Sequence, residues 1–381
     1  MAKTVLRTSL CDLLDIEYPI LSAGMGPNLL GEETGAPVDL VVAVSDAGGC
    51  GVLGASGYSI DEMREAIREI KRRTSKPFGV DLLLPKNIMS LDNMEASEMT
   101  LADILATLPA PYQDFIKKTR EDLGIPEVEI VLKTDTTTLQ PLEAVKVCLE
   151  EDVPLFCAGL GDPAFMVADA HARGIMVLAI TGNTKNAGRM AASGLDLLVA
   201  QGHEAGGHTG RIGTMALVPG CIDAAHPVPV LAAGGIGDGR GFAGALAMGC
   251  VGVWVGTRFL ATDEAGTLPV IKQHIVSATD EDTTVSTMFT GKTLRAIRSE
   301  FHQLWQDSGL QPLPFPLQML LSSALLAGFI KDENEPYIGG FAGQVSGIIK
   351  EIKPAAQVLA DMVDEAADIL GRKLQARVRL A

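Results

Sequence analysis

Short apolar segments alternate with Ala-rich helical segments between Pro19 and Leu260. Each apolar segment is rich in Val, Ile, Leu or Ala and ends in Gly or a small polar residue, which is typical of a strand buried on both faces of a parallel sheet. The repeated change from strand to helix predicts βα units. Eight strands are predicted, over residues 19–25, 51–56, 78–84, 154–161, 175–182, 195–202, 229–236 and 252–260.

Eight βα units favour a closed (β/α)8 barrel, the TIM-barrel fold, over an open sheet. The clearest intervening helix covers residues 60–73, where Ile60, Met63, Ile67 and Ile70 fall on one face. Further helices are predicted over 163–173, 184–193 and 239–248, each with a Gly near its end.

Two long stretches do not continue this alternation. Helices are predicted in them near 100–122, 315–330 and 354–371. Since long insertions in barrels usually follow strands at the C-terminal face, we expect both stretches to form a helical cap beside the barrel mouth. The expected organisation is a barrel made of residues 1–84 and 151–262, a helical insertion after strand three over 85–150, and a C-terminal cap segment over 263–381.

The composition suits a large globular protein. Of the 381 residues, 47% are apolar and 20% are charged, so the chain can bury a large core. The net charge of −16 opposes binding to nucleic acid or to an anionic membrane, because both require clustered Lys and Arg. The sequence has no bilayer-spanning apolar run, no signal-peptide pattern, and six scattered cysteines without a C-x-x-C pair. We therefore expect a cytoplasmic protein with reduced cysteines and no bound metal.

Two glycine clusters end the last two predicted strands. Gly234 and Gly235 follow strand seven, and Gly256 and Thr257 follow strand eight. Glycine lets backbone N–H groups approach an anion closely, and a following helix N-terminus adds partial positive charge. Loops after these two strands form the usual phosphate site of TIM barrels, so the sequence predicts a phosphate-binding site here.

The loop QGHEAGGHTG, residues 201–210, follows the sixth predicted strand and carries two histidines and four glycines. The imidazole of His208 has a pKa near neutral pH, so it can exchange a proton with a substrate that lies on a planar cofactor. His203 could be the base instead, with His208 as a hydrogen-bond donor. A metal site made of His203, Glu204 and His208 is a further alternative.

Two further strand ends carry candidate residues. Gly24 and Met25, in SAGMG after strand one, can flank an aromatic ring system, although an ordinary turn with a core Met explains them equally well. Asp81 lies inside the apolar strand FGVDLLL. A buried carboxylate is costly unless it meets hydrogen-bond donors, so Asp81 requires a polar ligand or a local network.

The segments AGMG, FGVDLLLP, QGHEAGGHTG, PVLAAGGIGDGRG and GVWVGTRFL together resemble the nitronate monooxygenase family. The later segments GKTLRAIRSEF and GGFAGQVSGIIKEI extend the resemblance over most of the chain. It implies an FMN-containing barrel that oxidises alkyl nitronates or propionate 3-nitronate with O₂, with His208 as the catalytic base. Together with the strand-end patterns, it gives a candidate FMN-binding set of Gly24, Met25, Asp81, Gln201, Gly206, Gly207, Gly234, Gly235, Trp254, Val255, Gly256 and Thr257.

The chain departs from the family pattern at two positions, since the family usually has Asn in place of Asp81 and Gln in place of Trp254. An ionised Asp81 would disfavour negative charge on a neighbouring flavin. Similar barrels include NAD(P)H-dependent flavin reductases of enoyl thioesters or quinones, which remain an alternative. A non-redox barrel that uses Lys133 for Schiff-base chemistry is a third hypothesis. In each case we expect a small-molecule substrate, and a homo-oligomer is left open.

Overall fold

The computed structural model describes residues 5–26, 35–84, 100–130 and 135–378. Within these ranges the β-strands are β1 Ile20–Ser22, β2 Gly51–Gly54, β3 Phe78–Leu83, β4 Leu155–Gly159, β5 Met176–Thr181, β6 Leu197–Gln201, β7 Gly207–His208, β8 Val230–Ala233, β9 Gly252–Val255, β10 Thr283–Ser286 and β11 Leu294–Ile297. The α-helices are Ser9–Leu14, Val38–Asp46, Ile60–Arg73, Leu101–Leu105, Ala110–Leu123, Pro141–Glu150, Val167–Ala172, Thr184–Ala191, Thr214–Ala225, Gly239–Ala247, Thr257–Leu260, Pro269–Ser277, Glu300–Ser308, Leu317–Lys331, Ala355–Asp368 and Leu374–Arg377. Short 3₁₀ helices cover Pro163–Phe165, Glu335–Tyr337 and Gln344–Ile348, and a π-helix covers Ile369–Lys373.

Eight parallel strands form a closed barrel. Their order is β1-β9-β8-β6-β5-β4-β3-β2, and a parallel bridge between Leu21 and Cys50 joins the two ends of this order. The predicted TIM barrel is therefore confirmed, and each of the eight strands lies within its predicted range.

Residues on the barrel strands alternate between the lumen and the surrounding helices, as the period of two requires. On β4, Leu155 and Cys157 belong to the cluster that fills the lumen. Phe156 and Ala158 belong to the cluster between the strands and the helices. This alternation decides which side chains at each strand end can reach the barrel mouth.

The helices begin and end where the local sequence favours it. Ser59 accepts a hydrogen bond from the Glu62 amide, and Glu62 accepts one from the Ser59 amide, so a capping box starts the helix at Ile60. Near the ends of three other helices, Gly174, Gly194 and Gly249 adopt positive φ angles, a conformation that glycine adopts without strain.

A cap with its own apolar core covers part of the mouth. It contains the antiparallel sheet β10-β11-β7. Its core cluster includes Phe289 and Leu294 near this sheet, Phe301 and Trp305 from the helix Glu300–Ser308, and Phe329 from the helix Leu317–Lys331. Because β7 lies in the histidine loop of the barrel, the cap is joined to that loop by backbone pairing.

Two predicted elements differ from the structure. The predicted eighth strand, 252–260, ends at Val255, and Thr257–Leu260 is helical after the turn at Gly256. The predicted helix over 100–122 is two helices that break before Ala110. Pro109 explains this break, since the residue before a proline is disfavoured in helical conformation.

Two helices from the predicted cap segments pack on the barrel. Residues of Pro141–Glu150 and Ala355–Asp368 belong to the cluster between strands and helices. We therefore propose domain boundaries that assign both helices to the barrel. Lys133, the residue of the Schiff-base hypothesis, lies outside the described residues. Among the described residues, no helix is long and apolar enough to cross a membrane.

Candidate active site

Free backbone amides lie at the ends of β8 and β9. Gly234 and Gly235 have φ angles of +90° and +72°, which an L side chain rarely adopts. A Cβ atom at Gly234 would also lie 2.9 Å from the carbonyl oxygen of Gly202. Within the described part of the chain, the amides of Gly235 and Gly256 donate to no protein acceptor. These amides at neighbouring strand ends fit the phosphate of FMN.

The residues that follow β1 reach the ends of both β9 and β3. A Cβ atom at Gly256 would lie 3.6 Å from the sulfur of Met25. A side chain at Gly24 would collide with the Cβ atom of Asp81. The fold therefore brings together the predicted residues after strands one, three and eight.

The carboxyl group of Asp81 is buried without a charged partner. The residue is 8% exposed, and its Oδ1 atom is buried with no hydrogen-bond partner among the described residues. Burial raises the pKa of Asp81 well above its usual value, and the backbone of Gly159 opposes this shift. An orphaned polar atom at the barrel mouth fits a site that is completed by a ligand.

Trp254 and Val255 point in opposite directions from β9. Trp254 belongs to the lumen cluster, whereas Val255 belongs to the cluster between strands and helices. The side chain of Trp254 can therefore form part of the floor under a cofactor. Val255 can contribute to the site only through its backbone.

The histidine loop is held by hydrogen bonds to the barrel and to the cap. Gln201 donates from Nε2 to the carbonyl oxygen of His208 over 2.7 Å. His208 pairs with Leu294 on β11, and the Thr209 amide donates to the carbonyl oxygen of Thr293 over 3.3 Å. These bonds fix the backbone that carries the imidazole of His208.

The ring of His208 is mostly buried and contacts a hydroxyl group. Its Nε2 atom lies 3.1 Å from the Oγ1 atom of Thr290. Burial and, to a smaller extent, the positive charge of Lys292 lower the pKa of His208 to about 4. The imidazole is therefore neutral at neutral pH, so one ring nitrogen can accept a proton.

The other two polar residues of the loop stabilise its shape. His203 donates from Nδ1 to the carbonyl oxygen of Gly210 over 2.7 Å. Glu204 accepts hydrogen bonds from the amide and hydroxyl of Thr214, at 3.0 and 2.9 Å. No group of three or more His, Cys, Asp and Glu among the described residues could hold a metal ion. The structure gives no support to the metal alternative.

The remaining predicted residues lie where the loops meet the C-terminal segment. A Cβ atom at Gly206 would lie 2.6 Å from the carbonyl carbon of Ala342. The Gly343 amide donates to Thr257 Oγ1 over 2.9 Å. Gly207 has a φ angle of +67° and open space at the position of a Cβ atom. Gly206 and Thr257 therefore join the barrel to the cap segment.

Three residues of the site, Thr290, Lys292 and Arg295, are not among those predicted from the sequence. Arg295 is 3% exposed and donates to the carbonyl oxygen of His203 over 3.2 Å. It also donates to Thr283 Oγ1 over 2.9 Å. The one available signal was the arginine inside the apolar strand LRAI, because a buried guanidinium requires several acceptors.

The chain is similar to a known family of enzymes over nearly its whole length. The family model described as nitronate monooxygenase matches residues 7–365. The monooxygenase-like protein Rv1533 of Mycobacterium tuberculosis is 36% identical, over 96% of this chain and 98% of its own. A probable nitronate monooxygenase of Staphylococcus saprophyticus is 30% identical, over 96% of this chain and 99% of its own.

Solved structures are also similar to this chain over nearly its whole length. FabK from Thermotoga maritima is 31% identical with a TM-score of 0.73, and the match covers 98% of this chain and 100% of FabK. The nitroalkane oxidase from Streptomyces ansochromogenes is 25% identical with a TM-score of 0.78, and the match covers 96% of this chain and 99% of the oxidase. This chain therefore shares its fold with these proteins over nearly its whole length.

Proposed function

Since the chain belongs to the nitronate monooxygenase family and is an FMN-dependent oxidoreductase, we propose that it oxidises alkyl nitronates or propionate 3-nitronate with O₂ and uses His208 as its base. The single observation that carries the assignment of the base is the partly buried imidazole of His208 at the barrel mouth, which the hydroxyl of Thr290 holds through Nε2. Bound FMN would supply the redox chemistry of this reaction, with the substrate as electron donor and O₂ as electron acceptor.

The proposed site holds the cofactor by backbone amides and by side chains at the barrel mouth. The amides of Gly235 and Gly256 would hold the phosphate, and the side chains of Asp81 and Trp254, which face the lumen, would contact the flavin. Met25 and Gln201 border the same site. Each of these assignments follows from positions at the strand ends, where active sites of TIM barrels lie.

His208 takes a proton from the carbon next to the nitro group when the substrate arrives as a neutral nitroalkane. In a neutral imidazole one nitrogen carries hydrogen and the other accepts it. Nε2 is engaged with Thr290, so we assign the proton transfer to Nδ1. The positive charge of Lys292, which acts on His208, also favours an anionic nitronate at this position.

The test is the visible absorbance of the purified, FMN-loaded protein without oxygen, before and after an alkyl nitronate is added. We expect the flavin bands to bleach with nitronate alone, and the nitronate to support O₂ uptake in air. Bleaching by NADH or NADPH but not by nitronate would instead identify a nicotinamide-dependent reductase. A protein that takes up no flavin when FMN is supplied would overturn the proposal.

We also propose that the protein works in the cytoplasm. The support is that all six cysteines are free and buried, which suits a reducing compartment. Cell fractionation tests this, and recovery of the protein in a membrane or secreted fraction would contradict it. Assembly into a homo-oligomer stays a prediction, which light scattering of the purified protein tests.

A further inference from the structure

Asp81 lies where the ends of three strands meet. On β3 it is in register with Gly54 of β2 and with Cys157 of β4. After β1, Gly24 packs directly against its Cβ atom, in a space that no side chain at position 24 could share. The carboxyl group is thus enclosed by the barrel at its mouth, on the side of the proposed cofactor site.

No described part of the protein neutralises this carboxyl group. Gly24, which follows β1, and Gly54 of β2 carry no side chain, and the titratable group that faces Asp81 from β4 is the thiol of Cys157. Burial raises the pKa of Cys157 well above its usual value, so the thiol is neutral as well. Oδ1 of Asp81 is buried without a partner among the described residues. Among the described residues, an ionised carboxylate in this place would meet no compensating charge and only the backbone of Gly159, whose effect is smaller than that of burial.

We propose that Asp81 stays a neutral carboxylic acid and donates a hydrogen bond from this acid to the bound FMN. This inference rests on the proposed function, which places the cofactor at this end of the barrel. The flavin ring offers carbonyl oxygens and ring nitrogens as acceptors. A carboxylate has no hydrogen to donate to them, and its charge would repel electron density on the ring.

The proposal requires FMN binding to weaken as pH rises. If FMN binds the protonated form, its dissociation constant increases about tenfold for each pH unit above the pKa of Asp81 in the FMN-free protein. Asp81→Asn is the matched variant, because the amide has nearly the same shape and can donate a hydrogen bond but cannot ionise. Cys157→Ala is the control for the neighbouring thiol.

The experiment is a fluorescence titration of the FMN-free protein with FMN, repeated between about pH 5 and 9. We expect the dissociation constant of the unaltered protein and of Cys157→Ala to rise with pH, and that of Asp81→Asn to stay constant. Infrared difference spectra provide a second readout. The carbonyl stretch of a protonated carboxylic acid should be present in the unaltered protein and absent from Asp81→Asn.

Two results would overturn the inference without affecting the proposed function. One is an FMN dissociation constant that equals that of Asp81→Asn at pH values where infrared spectra show that Asp81 of the FMN-free protein is ionised. The other is an infrared spectrum in which Asp81 is ionised at pH values where FMN stays bound. The infrared measurement also decides the question if Asp81→Asn does not fold. Failure of the unaltered protein to bind FMN at any pH would overturn the proposed function together with this inference.

Discussion

The Nε2 atom of His208 lies 3.1 Å from the Oγ1 atom of Thr290, which is 82 residues later in the chain. His208 is in the barrel loop, and Thr290 lies between the cap strands β10 and β11. The hydroxyl of Thr290 also lies 3.4 Å from the carbonyl oxygen of Lys292. The cap therefore holds the orientation of the proposed base.

Thr290→Val should slow the enzyme by removing this hydrogen bond while keeping the size of the side chain. A lost hydrogen bond of about 1 kcal/mol predicts a decrease of about fivefold in kcat/KM for a neutral nitroalkane. Thr290→Ser keeps the hydroxyl and should restore the rate. Steady-state kinetics across pH test this, and an unchanged pH profile and rate in Thr290→Val would show that Thr290 does not position His208.

His208→Ala should leave FMN bound and slow the oxidation of neutral nitroalkanes by the ~10²–10⁴ expected for a lost general base. A nitronate prepared in advance has already lost its proton, so its oxidation should decrease much less. Oxygen uptake with the two forms of one substrate measures the difference. An equal decrease in rate with the nitroalkane and with the nitronate would assign His208 to another role. An unchanged rate with the nitroalkane would favour His203 as the base.

The low pKa of His208 predicts an unusual response to acid. Its folded value of about 4 lies below the ordinary 6.5, so between these values the unfolded chain binds a proton that the folded chain does not. The free energy of unfolding should therefore fall as pH falls from 6.5 to 4, by up to about 3 kcal/mol for this residue. The neutral form persists in the folded protein, so kcat/KM with a nitroalkane should stay constant from pH 7 down to about 5.

A comparison with His208→Gln isolates this contribution to stability. This variant is needed because burial also lowers the pKa of His302 to about 4. His302 therefore causes a further decrease in the free energy of unfolding over the same pH range. Urea unfolding at several pH values should show a smaller decrease in the free energy of unfolding for the variant than for the unaltered protein. Equal decreases in the free energy of unfolding for the two proteins would mean that His208 has an ordinary pKa in the folded state.

Gly235→Val should weaken FMN binding at least tenfold, because a side chain at this amide obstructs the phosphate. A Cβ atom there would be 3.5 Å from Glu204, an ordinary contact, so the protein itself can accept it. Gly174→Val is the matched control, since Gly174 has a similar φ of +74° and open surroundings. Both variants carry backbone strain of about 1–2 kcal/mol. Equilibrium dialysis with FMN distinguishes them, and equal affinities would refute the phosphate site.

Lys292→Met should raise KM for an anionic nitronate about fivefold and change KM for the neutral nitroalkane little, because it removes a charge near His208. Higher salt should reduce the difference between the two proteins. Lys117→Met is the control, as this lysine has a 75% exposed side chain on a helix of the cap insertion. Equal KM changes for both substrates would argue against a role of the charge in binding.

Local patterns were sufficient to predict the barrel. The eight strands and the helix Ile60–Arg73 follow from the spacing of apolar residues, and the turns follow from glycines such as Gly234 and Gly235. The chemistry of the strand ends could be predicted for the same reason, since the ends of parallel strands meet at one face of a barrel. These features depend on residues that are close together in the chain.

Contacts between distant segments could be decided only by the tertiary structure. The sequence pattern does not show that Thr290 and Lys292 reach His208, because this depends on how β11 pairs with β7. It also does not show that Asp81 is enclosed without a partner. The sequence by itself determined the barrel and the candidate residues at its mouth. The packing of the cap and the burial of charged groups decided the surroundings of these residues and the shifts in their pKa values, because desolvation depends on the whole fold.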